Sequence, residues 1–222
     1  MSWAGFAAVF AAFFLTHSIP VRPSVKSRLT DRFGARAFAT GYSVVSLAML
    51  TVLIRAAGQA PYVQLWPQLG WQSHLGLIGM LVVCLILAFG IARPNPFSFG
   101  GARNDRFDPA RPGIVRWVRH PVLLALALWA GVHLLPNGDL AHVILFSVLG
   151  SFAIAGRTLI DRRKRSTLGT ARWQALHAAT LDAPFFQRPA SWGGFTARLV
   201  LGLLVYGALL WAHPIVIVVH VL

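Results

Sequence analysis

The sequence predicts an all-α fold: a polytopic transmembrane helical bundle of about six helices with both termini outside. Three observations carry that expectation. Apolar residues make up 56% of the chain against 12% charged, and mean hydropathy is +0.64. Soluble domains run near a quarter charged, so too little polar surface is present to clothe a water-soluble body. The apolar residues fall into runs of helical length. The basic residues fall almost entirely between alternate runs, as orientation in a bilayer requires. All six acidic residues are aspartates.

Six spans follow in order, at 3–17, 37–54, 75–92, 122–135, 140–160 and 197–219. A span needs roughly 17–25 residues, so the first and fourth reach that length only with flanking Ser, His and Pro included. The first lacks a basic leader, and His-Ser-Ile-Pro-Val-Arg-Pro follows it in place of a small-residue cleavage site, so it reads as a retained helix. Between the third and fourth spans, Pro94 and Pro96 remove donors and Gly100-Gly101 is flexible, which rules out a continuous helix. Phe97, Phe99 and Phe107 keep this connection apolar enough to pack on the bundle. Pro136-Asn137-Gly138-Asp139 is a tight turn that makes the fourth and fifth spans an antiparallel hairpin. With 222 residues the chain is expected to be a single domain, 1–222. Its single cysteine, Cys84, can form no intramolecular disulfide.

Arg22, Lys26, Arg28, Arg32 and Arg36 follow the first span, and six arginines from Arg93 to Arg119 precede the fourth. Eight basic residues from Arg157 to Arg198 flank or fill the segment after the fifth. Nineteen of the twenty basic residues thus share one side, with Arg55 alone opposite. The positive-inside rule makes that side cytoplasmic, and both termini then lie outside, periplasmic in a Gram-negative host. Trp66, Trp71, Trp129 and Trp211 map to the outer interface. The net charge of +14 is therefore an orientation signal facing lipid headgroups. It is no nucleic-acid footprint, since that needs a basic face on a soluble module.

Residues 119–139, RHPVLLALALWAGVHLLPNGD, carry the most chemistry. Ionisable groups inside a membrane are expensive and usually functional, and histidine is a common ligand for haem and metals. His17, His74, His120 and His133 attach to distinctive local sequence and are the candidate cofactor or catalytic residues. His142, His177, His213 and His220 read as helix caps or headgroup contacts. His120 and His133 lie thirteen residues apart, roughly 20 Å along a helix and roughly 220° around it, so they cannot ligate one iron together. Same-depth pairs are His17 with His120 on the inner side and His74 with His133 on the outer. Arg119 is either a snorkelling anchor or a guanidinium paired with an anionic group such as a haem propionate. Ser18 beside His17 lacks an acidic orienter for a nucleophile pair. A carboxylate-bridged di-iron site has too few carboxylates.

Thr16-His17-Ser18-Ile19-Pro20, RAFATGYSVVS at 36–46, Asn95-Pro-Phe-Ser-Phe-Gly, Arg119-His120-Pro121, Leu128-Trp129, His133-Leu134 and Asn137-Gly138-Asp139 together resemble the NnrU family in order and spacing. The resemblance runs from about residue 3 to 182. It implies a polytopic membrane protein, linked in bacteria to nitrite and nitric oxide reduction in denitrification. The plant branch implies a haem b-dependent 15-cis-zeta-carotene isomerase acting on an apolar polyene. What the resemblance implies for haem ligands falls on His17 and His133. The isomerase's nearby cysteine falls on Ala130 and its glutamine after Arg-His-Pro on Val122, which weakens transfer of that activity. Haem b would be non-covalent, as no Cys-x-x-Cys-His is present. Respiratory or denitrification enzymes are the implied partners, and a non-catalytic respiratory assembly or electron-transfer factor is a further reading. Arg-His-Pro before an apolar helix also resembles the isoprenylcysteine and phospholipid methyltransferases. Those enzymes usually carry paired glutamates where this chain has Asp161-Arg162-Arg163-Lys164.

Overall fold

A computed structural model describes residues 1–217 of the chain. His220 and the end of the sixth expected span lie outside the described residues. Among those described the fold is helical, with one isolated bridge between Gln64 and Asp139 and no strand. The helices are α1 (Trp3–Ser18), α2 (Pro23–Phe33), α3 (Ala35–Gly58), α4 (Gly70–Gly90), α5 (Pro121–Leu134), α6 (Leu140–Leu168), α7 (Thr170–Asp182) and α8 (Trp192–Ile217).

Four helices, α3, α4, α6 and α8, are long and apolar enough to cross a membrane. A fifth span exists if α1 and α2, bent by 66° at their junction, count as one. Two expected spans form helices at the expected places but fall short of spanning length by themselves. The first is α1, which ends at Ser18 with Pro20 and Pro23 following it. α5 holds 14 residues, about 21 Å of helix against a hydrocarbon core of about 30 Å. Two helices, α2 and α7, form in the basic segments that the sequence reading treats as connections.

The chain divides into two compact units. The first contains Met1–Trp66 with Gly138–Leu145 and the segment from His213. Here α1 and α3 run antiparallel. The Met1 ammonium donates to the Gln59 carbonyl near one end, and His17 meets Tyr42 and Ser46 near the other. Gly34 joins α2 to α3 at φ +81°, a left-handed conformation that a side chain would strain. The turn after α5 is pinned here, with Leu65 and Trp66 N–H groups donating to Gly138 O at 2.7 and 3.1 Å.

The second unit contains Pro67–Asn137 and Phe146–Ala212. Its helices pack through small residues, as membrane bundles do. A Cβ on Gly79 would lie 2.3 Å from Val132 Cγ1, so glycine is what lets α4 and α5 approach. Gly90 lies against Pro121 at the other end of the same antiparallel pair. On its other face α5 meets α6, with Leu123 against Gly156 and Ala130 against Gly150, which is the antiparallel hairpin the turn sequence predicts. Arg198 of α8 donates to the Ala88 and Ile91 carbonyls that end α4. Beneath these ends a separate core forms from Phe97, Val115 and Trp173, flanked by Phe107, Ile114, Leu168 and Leu176. It packs the 91–120 connection against α7, which the phenylalanines of that connection foreshadow.

Candidate functional site

The best-defined polar cluster lies at the start of α5. Pro121 occupies its first turn, where a missing N–H costs nothing. The two preceding residues are thereby held outside the helix, and both turn toward Asp161 near the end of α6. Arg119 forms a bidentate pair, Nε to Oδ1 at 3.1 Å and Nη2 to Oδ2 at 2.5 Å. Its Nη1 donates to His177 Nε2 at 2.8 Å, which fixes that ring as the neutral Nδ1–H tautomer. His120 Nε2 lies 3.0 Å from Asp161 Oδ1 and its Nδ1 3.0 Å from Ser98 Oγ. A carboxylate only accepts, so neutral His120 donates through Nε2 and accepts the Ser98 hydroxyl at Nδ1.

The Asn95-Pro-Phe-Ser-Phe-Gly segment builds the floor. Asn95 Nδ2 donates to Arg119 O at 3.0 Å, while its Oδ1 accepts from Phe97 N in an Asx turn. That turn buries Phe97 completely and delivers Ser98 to His120. Trp173 closes the cluster. Its ring stacks on His177 at 4.9 Å between centroids and carries the Arg165 guanidinium at 4.3 Å and that of Arg119 at 5.4 Å. Among the described residues the buried Trp173 indole N–H has no hydrogen-bond partner.

Burial is the main reason His120 titrates below the ordinary histidine range. Asp161 opposes that shift, and Arg119 and Arg157 reinforce it. His177 is lowered in the same way, first by burial, then by Arg119 and Arg165 against Asp161. Serine, histidine and aspartate thus lie in hydrogen-bonded series, but Ser98 is 1% exposed and meets Nδ1, with the carboxylate on Nε2. A hydrolytic triad needs a reachable hydroxyl, so this series locks the Arg-His-Pro corner to α6 and is no nucleophile.

The other candidate histidines sit apart. On α1, His17 has the Tyr42 hydroxyl 3.2 and 3.3 Å from its two ring nitrogens. That hydroxyl also donates to the His17 carbonyl at 3.0 Å, and Phe13 stacks on the ring. His74 Nδ1 donates to Gly70 O at 2.8 Å. Gln72, Gly76, Gly79 and Val83 form the α4 stripe toward α5. At about 100° per residue His74 lies on the opposite side of that helix, so His74 and His133 do not face each other. His133 Nδ1 donates to Trp129 O at 2.8 Å, and its ring lies between Trp129 and Phe146 at centroid distances of 5.2 and 5.3 Å.

Ligand chemistry separates these four. His120 uses both nitrogens on side chains, so it is unsuited to iron. In His133 and His74 the Nδ1–H to carbonyl bond leaves the lone pair on Nε2, the tautomer and second-shell pattern of a ligating histidine. Only His133 combines that pattern with aromatic, half-buried surroundings. Arg119 faces Asp161 and His177. Among the described residues no group of three or more His, Cys, Asp or Glu side chains gathers as a metal site.

Asn95, Ser98, Asp161, Trp173 and His177 are absent from the candidate set the sequence yields. Asp161 had a signal, being the one carboxylate at the end of a long apolar run. His177 and Trp173 had none, because only tertiary packing brings α7 to the corner.

No curated protein and no solved structure matches the chain. The family model for NnrU protein matches residues 5–221, nearly the whole length, and spans every residue of the cluster at the start of α5 and all four candidate histidines. This chain belongs to the NnrU family.

Proposed function

We propose that the protein is a multi-pass component of the bacterial inner membrane that supports nitrite and nitric oxide reduction, and that His133 would hold haem b. The observation that carries this reading is the state of His133. Its proton is committed to a main-chain carbonyl of its own helix, its lone pair is on Nε2, and its ring sits among aromatic and small residues at the apolar end of α5. Haem supplies one-electron chemistry when bound. The chain's part is to orient the imidazole and exclude water around it. The basic segments supply the orientation: six passes with both ends outside, α5 being a short pass beside longer neighbours.

Detergent-purified protein from haem-replete cells should show a Soret band that sharpens on reduction with dithionite. His133→Ala should abolish or shift it, and His213→Ala should leave it intact. A haem-free preparation, or a band indifferent to His133, overturns the reading. A periplasm-only reporter should be active at the C-terminus and silent after Arg165; the reverse overturns the orientation.

A further inference from the structure

In the first unit, α2 leaves α1 at 66° and carries charge on an 11-residue helix that cannot be a span. Its side chains are ordered. Val25, Leu29 and Phe33 recur every four residues and form one apolar stripe. At about 100° per residue, Lys26 falls to one side of that stripe and Arg28 and Arg32 to the other, with Asp31 opposite. An apolar stripe edged by cations on both sides is the pattern of a helix lying in the membrane–water interface.

The stripe also forms a wall. Leu29 and Phe33 join Thr16, Pro20, Ala37, Phe38, Gly41, Tyr42 and Val45 around a groove of about 340 Å³, apolar but for two hydroxyls. Two of its walls are rings that carry cations, with Arg32 5.4 Å from Phe33 and Lys26 6.0 Å from Phe38. Phe33 remains 59% exposed, and neither cation has an acidic partner among the described residues.

We infer that this corner binds one anionic phospholipid, with an acyl chain in the groove and the headgroup at the cations on its rings, Lys26 and Arg32. The charge selects the ligand. A zwitterionic lipid brings no net charge to the two cations, and a soluble anion would leave the groove empty. Headgroup attraction at a basic segment is worth about fivefold in affinity per cation. What distinguishes a built site from general attraction to a +14 protein is the placement of these two cations on the groove's own rings.

The test uses full-length protein in a neutral detergent, titrated with dioctanoyl phosphatidylglycerol or dioctanoyl phosphatidylcholine. Bound lipid is counted by native mass spectrometry. The wild type should retain one phosphatidylglycerol, preferred by about fivefold or more over phosphatidylcholine. Lys26→Gln with Arg32→Gln should bring that ratio near one. Arg162→Gln with Arg163→Gln, the same charge change in another basic segment, should leave it. Phe33→Ala should weaken retention of both lipids. Equal binding of the two lipids by the wild type, or equal loss of preference in both charge variants, overturns the site. The substituted side chains are exposed, and monodisperse elution with unchanged helical circular dichroism checks their folding. Haem content plays no part in the measurement, so this inference and the proposed function fail independently.

Discussion

The two ends of α5 each carry a histidine, and the two are held in opposite ways. His120, just before the helix, gives both nitrogens to side chains from distant parts of the sequence, Ser98 and Asp161, and is 2% exposed. His133, in the last turn, commits Nδ1 to the carbonyl four residues back, a bond its own helix supplies. One ring fastens a loop to a helix; the other is bonded to its own helix and packs against Trp129 and Phe146. A histidine bound on both nitrogens has no valence left for a metal, whereas one oriented by its own backbone presents a defined lone pair. Family motifs mark both, but the geometry gives them different work.

The largest expected separation comes from removing the group that holds His120. Asp161→Ala strips the bidentate partner from Arg119 and the acceptor from a buried imidazole. Breaking such a pair should cost about 3 kcal/mol, toward the lower end for buried pairs because Arg119 keeps some solvent. His133→Ala removes one local hydrogen bond and a half-buried ring, and should cost about 1–2 kcal/mol. Cys84, 1% exposed and the sole cysteine, reports both through a thiol-reactive fluorophore on thermal unfolding. Equal destabilisation would erase the distinction between the two ends.

A second separation is by acid. His120 and His177 both titrate below their unfolded value in the fold, mainly because they are buried. Between that lowered value and about 6.5 the unfolded chain binds protons that the folded chain refuses. Stability therefore falls as pH drops below about 6.5 and continues to fall until the buried rings protonate. Arg119, Arg157 and Arg165 reinforce the effect and Asp161 resists it. His177→Gln, which keeps an acceptor for Arg119 but cannot titrate, should reduce the loss between pH 7 and 5. An unchanged pH dependence would place the acid-sensitive groups elsewhere.

This contrast also shows what sequence pattern reaches. Composition and the spacing of apolar runs identify a membrane bundle, because in hydrocarbon every backbone polar group must be paired internally and a long apolar helix does that within one segment. The α5–α6 hairpin is legible in Pro136-Asn137-Gly138-Asp139, since turn chemistry is local. Helix α2 is not legible by hydropathy, because an interfacial helix is polar on average and its signal lies in the angular order of Val25, Leu29 and Phe33. His120 looks like a ligand in sequence because Arg-His-Pro is conspicuous, yet its partners come from 22 and 41 residues away. His177 looks like a surface imidazole because nothing near it in the chain shows that α7 packs on Arg119. A group held by its own helix can be read from sequence, and one held by tertiary contacts cannot.

The smallest expected effect comes from Arg119→Lys, and it separates two roles for the residue. The guanidinium serves several partners at once: the bidentate pair with Asp161, the bond to His177, His120 Nε2 at 3.4 Å from its Nε and the face of Trp173. An ammonium keeps the charge and the reach but loses the planar fork, so it can hold Asp161 or His177 but not both in register. The side chain is 26% exposed and water replaces part of what is lost, so the cost should be about 1 kcal/mol. If Arg119 serves Asp161, the variant unfolds slightly earlier while any Soret band keeps its position and intensity. If Arg119 instead pairs with a haem propionate, the spectrum changes at unaltered thermal stability. That second result would move the cofactor to the His120 end of α5 and reverse the roles assigned to its two histidines.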